Sequence, residues 1–167
     1  MLLFTCICRI ISLTSKAAHS KDQEETMEFR KFDDTYIVRL ERGEELIGSL
    51  TKLCKEENIR LGSVDGLGAC DKLTIGLYDV GRRFYHKTEL NGPMEITSVH
   101  GNISEKDGNV YLHLHINVCD ENMNVRGGHL NECRISATCE LFVRKINGAV
   151  ERRFDDEVTG LNLYRFL

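Results

Sequence analysis

The chain has 167 residues, 41% of them hydrophobic and 29% charged, with 22 basic against 26 acidic side chains and a net charge of −4. That length and balance fit one folded domain with a real core and exclude a disordered chain. They also argue against strong autonomous nucleic-acid binding, which usually shows a clustered basic footprint, because residues 27–167 alone carry 19 basic and 23 acidic groups.

The start of the chain is apolar from Met1 to Leu13 but too short to span a bilayer, and Arg9 interrupts it. Residues 14–26 are polar and unpatterned. Residues 1–26 are therefore read as a leader, disordered or wrongly assigned to the chain, and as dispensable for folding; the domain is expected over 27–167. Seven cysteines, an odd number with no Cys-x-x-Cys pair, read as reduced thiols in a cytoplasmic protein more than as a disulfide framework.

Phe29 to Leu40 reads as one or two strands turning at Asp33-Asp34. Glu44 to Glu57 reads as a helix, because Leu46, Ile47, Leu50, Leu53 and Cys54 fall on one stripe. Arg60 to Val64 opens the next strand. Gly66-Leu-Gly68 lacks the third glycine of a dinucleotide loop, and no Gly-Lys-Ser/Thr follows, so a bulge or tight turn is preferred there over a nucleotide site. Further strands are expected at 73–78, 84–90, 94–103, 110–118, 125–130 and 135–145, with turns at Gly81, Asn91-Gly92 and Asp107-Gly108-Asn109. Short connections favour antiparallel pairing, so the expected fold class is α+β: a largely antiparallel sheet of six to seven strands with helical cover.

The most informative run is Tyr111-Leu-His-Leu-His-Ile-Asn-Val118, followed after a short turn by Gly127-Gly-His-Leu130. Strict alternation sends Leu112, Leu114 and Ile116 to one face and His113 and His115 to the other. If the chain doubles back after Asp120, His129 returns beside them. Three neutral imidazoles would then form a zinc site with an open fourth position. Gly127 and Gly128 would permit a bulge or a close backbone approach. An alternating strand with a polar outer face also tolerates histidine without any metal, and that reading stays open.

Glu95, His100, Asn102 and Glu140 are the candidates to complete a site, with Glu95 or Glu140 as a catalytic base; Glu140 is also readily explained as a solvent-facing residue of an alternating strand. No serine or cysteine is marked as an activated nucleophile.

Gly43-Glu-Glu-Leu46, Gly66-Leu-Gly-Ala69, Glu95-Ile-Thr-Ser98, Gly101-Asn-Ile103, Leu112-His-Leu-His115, Gly127-Gly-His-Leu130 and Thr159-Gly-Leu161 follow one another in this order. Together they resemble the PPC domain family, conserved in plants and prokaryotes and associated in plants with AT-hooks, in its prokaryotic form. The resemblance implies a sheet flanked by helices, a homotrimer, and a metal site, zinc by preference, at His113, His115 and His129. The family's DNA-binding label rests on analogy here, since the Arg-Gly-Arg-Pro core of an AT-hook is missing and the single proline is Pro93. His100 departs from the Ser, Thr or Leu that the resemblance would place there. Three functions compete: a non-enzymatic trimeric metal-binding module with DNA or protein partners, a zinc-dependent enzyme acting on a small polar metabolite, and a purely structural metal site closed by four protein ligands. None requires a membrane.

Overall fold

The computed structural model describes residues 26–166; the residues read as a leader lie almost wholly outside the described part. Eight strands and one helix follow in the order β1 (Glu28–Phe32), β2 (Thr35–Glu41), α1 (Leu46–Glu56), β3 (Gly62–Asp79), β4 (Phe84–Lys106), β5 (Asn109–Cys119), β6 (Val125–Lys145), β7 (Glu151–Asp155) and β8 (Leu161–Arg165).

The pairing closes on itself. β3 pairs with both β4 and β6, and β5 pairs with the same two strands, so β3–β4–β5–β6 form a ring. β1 and β2 extend the sheet beyond β6, and the β7–β8 hairpin extends it beyond β4. All pairs are antiparallel except β4 with β7, which meet in parallel at Glu105 and Glu151.

The core follows from alternation. Tyr36, Val38 and Leu40 on β2, Leu114, Ile116 and Val118 on β5, and Cys139, Leu141 and Val143 on β6 are all buried. Helix α1 lays Leu46, Leu50, Leu53 and Cys54 onto them. Its N-cap, Glu45, accepts hydrogen bonds from the amides of Ile47 (3.2 Å) and Gly48 (2.7 Å), and also from the amide of Cys133 on β6 (3.2 Å). One carboxylate thus caps the helix and pins it to the sheet.

Three expectations need correction. The sheet is not flanked by helices, since α1 is the one helix among the described residues and strands dominate. The six to seven strands become eight, because the C-terminal β7–β8 hairpin was not foreseen. The turn expected at Asn91-Gly92 is a bulge within β4. β3 runs past it unbroken, pairing Lys72 with Asn91 and Cys70 with Met94, so β4 spends one residue more than its partner. Gly92, at φ +111°, supplies the kink, and Pro93 needs no donor at a bulge. The same continuity joins 125–130 and 135–145 into β6.

Candidate metal centre

Four strands place one rung of residues side by side. His100 on β4 pairs with His115 on β5, His115 pairs with His129 on β6, and His129 pairs with Gly76 on β3. His113 lies two residues from His115, on the same face of β5. Ring centroids are 5.4 Å apart for His113 and His115, 5.2 Å for His113 and His129, and 5.5 Å for His115 and His129. Each ring offers a nitrogen, and the three nitrogens lie within 4.8 Å of one another.

Such convergence requires that backbones approach closely. A Cβ on Gly128 would stand 2.7 Å from the carbonyl oxygen of Gly76, and one on Gly101 would stand 2.8 Å from the Cα of Leu114 and closer still to the carbonyl oxygen of His113. Any side chain at either position would force strands of the ring apart.

The environment keeps the rings uncharged. Burial, with smaller contributions from His129, Arg152 and His115, pushes His113 down to about 4. Burial lowers His129, with His115 adding to it, and burial and His100 lower His115. Neutral imidazole is the ligating form, so a donor set already deprotonated near neutral pH fits a divalent transition metal. None of the three rings hydrogen-bonds to protein among the described residues, which leaves their nitrogens to a ligand.

The histidines form part of the wall of a cavity of about 580 Å³. Tyr78 and Tyr85 line it from β3 and β4, and Arg152, Leu161, Asn162 and Leu163 from the β7–β8 hairpin. Tyr85 packs over Gly76, takes a 2.6 Å hydrogen bond from Asn131, and meets His129 edge-on with centroids 6.2 Å apart.

Arg152 was not singled out by sequence reasoning. It is 6% exposed and is held by bonds from Nε to Ser104 Oγ (2.7 Å), from Nη1 to the carbonyl of Asn162 (2.8 Å) and from Nη2 to Asn102 Oδ1 (2.8 Å). Its guanidinium also stacks on the rings of Tyr111 and Tyr164, at 4.7 and 4.2 Å. Asn102, opposite His113 across β4 and β5, therefore serves the arginine.

The other candidates separate. His100 stacks beside His115 at 6.4 Å but stands outside the three converging nitrogens. Glu95 is exposed and pairs with Cys119, four residues from His115, or roughly 13 Å at the usual strand rise. Glu140 is exposed in the far half of β6, opposite Arg39 and Leu67. The structure brings neither carboxylate to the histidines, so neither can act there as a base within this chain. Gly66 and Gly68 lie at irregular pairings inside β3, where β6 passes over them.

The model of the Plants and Prokaryotes Conserved domain matches residues 27–147. The chain belongs to this family. A Plants and Prokaryotes Conserved protein from Pyrococcus horikoshii is 31% identical, with a TM-score of 0.74 over 85% of this chain and 96% of the other. A protein from Bacteroides thetaiotaomicron, provisionally named as DNA-binding, is 31% identical, with a TM-score of 0.82 over 85% of this chain and 99% of its own. A metal-containing protein from Archaeoglobus fulgidus is 34% identical, with a TM-score of 0.75 over the same shares. No protein of curated function gives a significant match. Among the described residues, no helix of this family member is long and apolar enough to cross a membrane.

Proposed function

We propose that the chain is a non-enzymatic metal-binding module of its family, holding a divalent transition metal, zinc by preference, through His113, His115 and His129. The observation that carries this reading is the convergence of three imidazole nitrogens, two of them on half-buried rings, within 4.8 Å at the wall of a cavity. The donor set of three neutral nitrogens suits zinc. The Archaeoglobus fulgidus protein is described as metal-containing, which supports the same reading. Metal analysis of protein purified without a histidine tag tests it: about one equivalent of a transition metal per chain is expected, and metal-free protein that takes up none would refute it.

We further propose self-association as a homotrimer. Ile37 and Phe142 stand in register on adjacent strands, 37% and 59% exposed, with Phe32 and Leu67 also uncovered. Exposed apolar side chains clustered on one sheet face favour an interface. DNA is the weaker partner. It is suggested by the names of neighbours such as the Bacteroides thetaiotaomicron protein, while the acidic charge balance opposes it.

One observation favours a second reading, a zinc-dependent enzyme on a small polar metabolite. The three histidines face a cavity and leave further coordination positions to solvent or ligand. A bound zinc would supply Lewis acidity there. No carboxylate among the described residues lines the cavity, so among them no base is at hand and one would have to come from elsewhere, such as the substrate or another subunit.

A further inference from the structure

We propose that the cavity beside the three histidines is a binding site for a small oxyanion, with Arg152 as its charge partner. The proposal deepens the metal-site reading and rests on it only for a further contact of the ligand.

The argument begins with charge. Arg152 is almost fully buried, permanently protonated, and forms no ion pair among the described residues; its partners are a hydroxyl, a carbonyl and an amide oxygen. A guanidinium has five N–H donors, and these bonds use three. The two tyrosine faces offset part of the cost of burying the cation, but they carry no net charge. No aspartate or glutamate among the described residues lines the cavity. A divalent cation on three neutral imidazoles would add charge of the same sign. The cavity is therefore positive with no carboxylate among the described residues to neutralise it, and an anionic ligand removes that deficit.

About 580 Å³ of space accommodates a metabolite-sized molecule.

The test is calorimetric titration of the full chain, metal-free and zinc-loaded, with L-malate, succinate, inorganic phosphate and glycerol. Malate and succinate should bind saturably, and glycerol should not bind. Phosphate binding more tightly than malate would also support the oxyanion site and point to a phosphate ester as the physiological source. Arg152→Gln should weaken the bound anion on the order of thirtyfold while zinc stoichiometry is kept. Asn162→Asp retains the arginine but places a carboxylate in the lining, so it should fold as the parent does and lose anion affinity comparably. Binding by metal-free protein that both variants lose upholds the inference even if zinc never binds. A zinc-loaded chain that binds neither malate nor phosphate overturns the inference and leaves the metal site standing. Variants that bind as the parent does, or glycerol binding as well as malate, overturn it too.

Discussion

His115 faces His129 directly across the β5–β6 pair, with ring centroids 5.5 Å apart and planes nearly perpendicular. The pairing register alone produces that meeting. A slip of one residue would turn the ring of His129 to the opposite face of the sheet. The site is therefore as well defined as the strand pairing, and the pairing is held by the buried Leu114, Ile116 and Val118 behind it.

Metal-free protein should lose stability as pH falls from about 6.5 toward about 4. His113 is pushed down to about 4 in the folded chain, against about 6.5 unfolded, so the unfolded chain binds more protons in that window. The contribution is fully present above the unfolded value and disappears as pH approaches the folded one. Allowing for partial exposure, it is on the order of 2 kcal/mol. Denaturant midpoints measured in chelator at about pH 7.5 and about pH 5 should show the decline, and His113→Asn should reduce it. Equal midpoints at the two values would count against the desolvated site.

Gly101→Ala should destabilise the protein by about 1–3 kcal/mol, because the added methyl group meets the backbone of β5 at His113 and Leu114. Metal affinity should fall with it, since β5 carries two of the three proposed ligands, His113 and His115. Chemical denaturation and metal titration of the same variant check both effects. A variant as stable as the parent would mean that β4 and β5 can separate at little cost.

Phe142→Asp should dissociate the proposed homotrimer while leaving the fold intact. Phe142 is 59% exposed in the single chain, so little intrachain packing is lost. Light scattering should move from about three times the 19.1 kDa chain mass to a single mass, with an unchanged circular dichroism spectrum. A parent protein that is already monomeric at micromolar concentration would remove the trimer.

Duplex DNA titrated at physiological salt should show no nanomolar complex, given 19 basic against 23 acidic groups in residues 27–167. A tight, sequence-selective complex would establish DNA as a partner despite the charge balance.

The histidine convergence was legible because strand alternation has a period of two, and that period survives wherever a strand is paired on both sides. The helix was legible for the same kind of reason, its leucines falling on one stripe. The cavity's other wall was not. In β7 the one buried residue is Arg152, and Phe154 on the same face is 53% exposed, so no run of apolar residues marks an inner face. The hairpin meets β4 at a single parallel position, so no local signal announces it. Glu95 and Glu140 drew attention as carboxylates within strands, but both lie on exposed faces away from the histidines, and facing solvent accounts for each.

The most direct test of the account is metal content in the His113→Ala, His129→Ala double variant beside the parent chain. The parent should hold about one equivalent of transition metal, losing it as pH drops below about 6, and the folded double variant should hold none. A double variant that keeps a full equivalent would place the metal elsewhere and contradict the assignment of this site.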